Sequence, residues 1–201
     1  MTRQAIGQAN DLRPLGGLAS VASWRAIHSI GAVGDAAALV VLVPEADPVL
    51  AIANAQMPAE KRLTAPAHIT LIYPFMPPEL ISEEALTSFA DFFDGFAPLS
   101  FELTIGWFGK EVLLLIPRPS AGLVALTEAV LARWPEYPYY AGAYETIDPH
   151  LSLGFGDAQS LEPIAAAVEP QTPLTGNAAA VSLRVGPPEA MREQDSFPLH
   201  G

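Results

Sequence analysis

Two histidines, His68 and His150, open the same four-residue pattern: His68-Ile69-Thr70-Leu71 and His150-Leu151-Ser152-Leu153. An imidazole titrates at about pH 6.5, so one neutral ring can take a proton while a second, protonated ring gives one. Such a pair can serve an attacking oxygen and a leaving oxygen in one reaction. The hydroxyls two residues on, Thr70 and Ser152, are donors suited to the non-bridging oxygens of a phosphate. Together the four residues form a set that acts on a phosphodiester with no metal and no cofactor. A lone histidine in a strand is more often structural. With four histidines in the chain, two chance copies of the pattern come out on the order of 0.1% at average residue usage, and that makes the repetition the signal.

The elements around the pair must bring the two copies together. In a strand alternate side chains share a face, so His68 and Thr70 project together, as do His150 and Ser152. Ala37–Val43 reads as a buried strand ended by Pro44, and Asp47-Pro48 as a helix N-cap followed by a proline. The first histidine strand spans about 67–73. Ser82 caps a helix striped by Leu86, Phe89, Phe93 and Phe96, and an alternating strand runs from Phe101 to Trp107. The second half repeats the order: a strand over Val112–Ile116 ended by Pro117, a helix capped by Ser120, and a Tyr/Pro/Gly-rich loop over 135–148. The second histidine strand (about 149–155), a helix over about 160–168, and a last strand through Val181, Leu183 and Val185 complete it. Strand, helix, histidine strand, helix, strand thus occurs twice. The expected fold is α+β, with two pseudo-symmetric lobes of mainly antiparallel sheet facing a central groove.

Composition narrows the partners. The 201 residues carry a formal net charge of −12, which argues against a surface that grips long nucleic acid. Small anions held by a few aimed donors remain compatible. No cysteine is present, so thiolate chemistry is excluded and a metal site would need His and carboxylate alone. No third such ligand stands at metal spacing beside either motif. No window is apolar enough to span a bilayer. Residues 1–35, with three arginines and two aspartates, read as a poorly ordered extension with a short helix near Val21–Ile30 and no signal peptide. Residues 36–201 form the expected domain, a cytoplasmic monomer.

Other residues have two readings each. Tyr73, Phe75 and Phe155 follow the motifs and suit either a groove where a base stacks or core and rim packing; Tyr137, Tyr139 and Tyr140 have the same standing. Of these, Tyr73, Phe155 and Tyr140 are the stacking candidates. Gly154 and Gly156 read as easing a strand end rather than cradling phosphate. Asp148 sets the entry to the second strand or orients His150. His28 and His200 read as solvated.

Paired His-x-Thr/Ser motifs in duplicated strand–helix lobes resemble the two-histidine phosphoesterase superfamily, and within it the bacterial 2′-5′ RNA ligase family. The likeness runs from about Ala36 to Leu199 and includes 66–75, Trp134-Pro135-Glu136-Tyr137, 149–153 and Phe197-Pro198-Leu199. It implies metal-independent opening of 2′,3′-cyclic phosphates on nucleotides or short RNA ends. By position His68 and His150 are the acid–base pair and Thr70 and Ser152 bind phosphate. Attack by water opens the ring, whereas attack by the 5′-hydroxyl of another RNA makes a 2′-5′ link. A module that binds a nucleotide without turning it over is the other class of function. Where some relatives have a basic residue after the second motif, this chain reads Gly154-Phe155-Gly156-Asp157, which favours a small substrate.

Overall fold

The computed structural model describes residues 35–144 and 146–201. His28 and the helix expected near Val21–Ile30 lie outside them. In chain order the main elements are β1 (Ala36–Leu42), α1 (Asp47–Ala55), β2 (His68–Ile72), α2 (Glu83–Asp94) and β3 (Leu99–Phe108). They continue with β4 (Val112–Arg118), α3 (Ala121–Arg133), β5 (Leu151–Phe155), α4 (Ala158–Val168), β6 (Leu174–Ala178), β7 (Ala180–Gly186) and β8 (Arg192–Pro198). Two four-stranded antiparallel sheets result, in the orders β2-β1-β7-β8 and β5-β4-β3-β6. The expected α+β fold and duplicated order are both present, with β6 and β8 added as outer strands.

The two repeats exchange parts. β3, from the first repeat, pairs with β4 of the second, and β7 pairs back with β1. Helices cross over as well: α3 packs on β2, while α1 packs on β5 and α4. Each histidine strand is therefore backed by a helix from the other repeat. Phe101 and Leu103 on β3 and Val181 and Leu183 on β7 are fully buried in these exchanged positions. Each such side chain contributes about 1.5–3 kcal/mol by burial, so neither repeat is a self-sufficient lobe.

Several boundaries differ from the expected ones. Pro117 lies inside β4, beside Leu103 of β3, rather than ending the strand. Ser82 caps α2, its Oγ accepting from the Ala85 N–H at 3.2 Å. Ser120 occupies the corresponding place before α3 but makes no capping bond, and α4 starts two residues earlier than expected, capped by Asp157. Phe75 is core: it sits edge-on to Trp134 at 5.8 Å and to Tyr137 at 5.2 Å. Among the described residues, no helix is long and apolar enough to cross a membrane.

Candidate active site

β2 and β5 are edge strands of their sheets and pack against each other, which brings the two motifs to one groove. The entry to β2 is held from α1. Asp47 does not cap that helix; it is the first helical residue, and its Oδ1 accepts the Ala67 N–H at 2.8 Å. The backbone next to His68 is thereby tied to the start of α1.

Both motif strands carry a bulge at the same place. Val40 pairs with Thr70 but Leu39 with Ile72, so Leu71 is the extra residue; Leu114 pairs with Ser152 but Leu113 with Gly154, so Leu153 is the extra one. A bulge shifts the side-chain alternation by one. His68 and Thr70 stay on the groove face, Leu71 and Ile72 both enter the core, and the next residue, Tyr73, returns to the groove side. In β5, Leu153 and Gly154 face inward and Phe155 returns beside Val112. Both aromatics are half-buried. Gly154 is where a side chain would not fit freely, since an added Cβ would lie 3.0 Å from Met57 Cε and 3.3 Å from Leu161 Cδ2.

The histidines are held alike. Nδ1 of His68 lies 2.7 Å from the Pro66 carbonyl, and Nδ1 of His150 lies 2.7 Å from the Asp148 carbonyl. A carbonyl only accepts, so Nδ1 carries the hydrogen in both rings and Nε2 is left for a substrate. Burial pushes both imidazoles below their ordinary value. Their charged neighbours differ: the Arg184 guanidinium and the His150 ring lower His68 further, whereas the Asp148 carboxylate raises His150. The two rings are thus within electrostatic reach of each other.

The loop expected over 135–148 contains a short 3-10 turn, Tyr139–Gly142, that joins the motifs. Tyr140 and Ala141 both adopt left-handed backbone angles (φ 46° and 54°), a conformation costing on the order of 1–3 kcal/mol per non-glycine residue. It delivers the Tyr139 hydroxyl to the Asp148 backbone and the Tyr140 hydroxyl to the Thr70 side chain. Tyr140 is buried, its ring 4.7 Å from Tyr139 and 5.4 Å from Tyr144. Burial pushes its phenol up to about 12, so the proton stays on. The Thr70 hydroxyl opposes that rise, so the phenol and the threonine hydroxyl stand against each other and Tyr140 fixes where Thr70 sits on the groove face. This placement differs in kind from the base-stacking surface considered for Tyr140 above.

Ser152 and Thr70 are both half-buried on the groove face. His200 is exposed and its Nδ1 lies 2.7 Å from Asp94 Oδ1, away from the groove. Among the described residues, no group of three or more His, Asp or Glu side chains is placed to hold a metal ion. No sequence signal marked Arg184, the Tyr140 hydroxyl or Asp47 as parts of the site, because their positions depend on pairing across strands and on loop geometry.

The comparisons with known proteins bear on the family and the fold. The sequence profile of the 2′-5′ RNA ligase superfamily matches residues 46–186. Among solved structures, TT0787 of Thermus thermophilus superposes with a TM-score of 0.54 at 18% identity, covering 83% of this chain and 98% of that one. E. coli LigT complexed with ATP superposes at 0.56 with 17% identity, and LigT complexed with 3′-AMP at 0.55 with 16% identity, each covering 84% of this chain and 99% of LigT. These likenesses establish the fold, and no curated protein sequence matches the chain. The chain belongs to the 2′-5′ RNA ligase superfamily.

Proposed function

We propose that the chain is a metal-independent cyclic phosphodiesterase that opens 2′,3′-cyclic phosphates on nucleotides or short RNA ends. The observation that carries this is the matched tethering of His68 and His150, each with Nδ1 held at 2.7 Å by the carbonyl two residues earlier and Nε2 left for the substrate. In the forward reaction His68, held below its ordinary value by burial and further by Arg184, takes the proton of the attacking water. As the new P–O bond forms, the bond from phosphorus to one ribose oxygen breaks, and His150, supported by Asp148, protonates that oxygen. The product is a monoester, and the pair is reset by exchange of one proton. Thr70 and Ser152 donate to the non-bridging oxygens, with Tyr140 as a positioning residue behind Thr70. Ligation is the same chemistry with a ribose hydroxyl in place of water. The net charge of −12 disfavours long RNA partners and favours hydrolysis of a small substrate by a cytoplasmic monomer.

The test is turnover of a 2′,3′-cyclic nucleotide by purified protein in excess EDTA. Product should be a single phosphomonoester, formed without added metal. Strict dependence on a metal, or full activity after replacement of both histidines, would overturn the assignment. Tight nucleotide binding with no turnover across a cyclic-phosphate panel would make the protein a binding module instead.

A further inference from the structure

Arg184 is a cation only 9% exposed, and among the described residues no carboxylate stands within ion-pair distance of it. Among the described residues its guanidinium makes one hydrogen bond, from Nη2 to the Met191 carbonyl at 2.7 Å, although it has five N–H donors. Glu193, its cross-strand neighbour on β8, uses its carboxylate to accept from the Ser182 hydroxyl at 2.8 Å. A buried cation without a partner is costly, so the position is explained by an anion that arrives from outside.

The strand register says where that anion would sit. His68 pairs with Leu42 and Thr70 with Val40 on β1, while Ser182 pairs with Val40 and Arg184 with Ala38. Direct antiparallel partners share a face, so Arg184 lies on the same face as the motif. It is one alternate residue along from the Thr70 row, about 6–7 Å. Continuing the register past the bulge sets Tyr73 on the other side of Ala38. Tyr73 carries a buried hydroxyl with no hydrogen-bond partner. The smallest side chain of the row, Ala38, is therefore flanked by a phenol and a guanidinium, both with unused donors, and Arg184 is electrostatically coupled to His68.

Resting on the phosphodiesterase reading above, we infer that Arg184 and Tyr73 form a second anion subsite that takes a further phosphate of the substrate, next to the cyclic phosphate held at His68 and Thr70. The ligand class is a nucleotide that carries a cyclic phosphate and one more phosphate group. That second group comes either from a 5′-phosphate or from the internucleotide link of a short RNA end, and a guanidinium recognises both.

Three substrates separate the possibilities: a nucleoside 2′,3′-cyclic phosphate, the same compound with a 5′-phosphate, and a dinucleotide ending in a 2′,3′-cyclic phosphate. The wild-type protein should prefer one or both of the latter by roughly 10- to 100-fold in kcat/KM. Arg184→Gln should collapse that ratio, whatever happens to the absolute rates, and Tyr73→Phe should reduce it several-fold. If no cyclic phosphate is turned over, the phosphodiesterase reading fails, and calorimetry with a nucleoside 3′,5′-bisphosphate against the 3′-monophosphate still tests the subsite. The bisphosphate should bind at least tenfold tighter to wild type and equally to Arg184→Gln. Arg184→Met, which keeps the stem and removes the charge, should melt at or above wild type. No wild-type preference in either assay, or a preference undiminished in Arg184→Gln, would overturn the subsite. A large drop in melting temperature for Arg184→Met with the substrate ratio unchanged would also overturn it and make the arginine structural.

Discussion

The segments around His68 and His150 share three backbone features and differ in what surrounds them, His68 opening β2 and His150 standing just before β5. Both place a histidine against the carbonyl two residues back, both carry a bulge three residues after it, and both are backed by a helix of the other repeat. Around His68 stand a guanidinium and a tyrosine hydroxyl on Thr70; beside His150 stands a carboxylate. On the proposed mechanism the duplicated backbone supplies two equivalent proton-transfer positions, and the unduplicated surroundings divide them into a base and an acid.

The largest effect that tests this division comes from the histidines. His68→Ala and His150→Ala should each lower kcat by about 10²–10⁴-fold. Loss of the base should remove the acidic limb of the pH–rate profile and loss of the acid the alkaline limb. Exchange of those two outcomes would reverse the assignment. The double variant should be little worse than the worse single one, because the two act in one step.

A smaller effect distinguishes Thr70 from Ser152. Only Thr70 has a tyrosine hydroxyl behind it, so Tyr140→Phe should lower kcat/KM by about tenfold, the value of a hydrogen bond near 1.4 kcal/mol. A double-mutant cycle should couple Tyr140→Phe to Thr70→Val and leave it additive with Ser152→Ala. Additivity with both would confine Tyr140 to packing.

The bulges differ in one residue. The second core-facing position is Ile72 in β2 and Gly154 in β5, where α1 and α4 close over the strand. Gly154→Ala should destabilise by roughly 1 kcal/mol, because Met57 and Leu161 must give way. Thermal unfolding measures this, and an unchanged melting temperature would mean that both side chains move freely.

Much of this was legible in the sequence where a local pattern carried it. Alternation placed His68 with Thr70 and His150 with Ser152, and the repeated order of apolar segments indicated the pseudo-symmetry. Alternation failed at Ile72, because a bulge adds a residue without any marker of its own. β8 (Arg192–Pro198) lies beyond the last strand the sequence pattern shows, because its edge position favours charged and polar residues, and most of its side chains are exposed. Exchange of β3 and β7 between sheets follows from pairing partners distant in the chain, and Arg184 gains its significance only through that exchange. Asp47 carried the composition of an N-cap, yet its carboxylate found the Ala67 N–H instead.

The finest test concerns the charges beside the two rings. Burial lowers both histidines, so the bell for kcat/KM should centre on the acid side of pH 6.5, the unperturbed value. Asp148 holds His150 up; in Asp148→Asn that support is gone, the acid loses its proton at lower pH, and the alkaline limb moves down by a fraction of a pH unit. Arg184 holds His68 down; in Arg184→Met the base is protonated at higher pH, and the acidic limb moves up. Opposite charges are removed, yet both variants narrow the bell, each from its own side. If the roles of the histidines were reversed, the same two variants would widen it. Profiles taken on the nucleoside 2′,3′-cyclic phosphate without a second phosphate keep this measurement independent of the anion subsite.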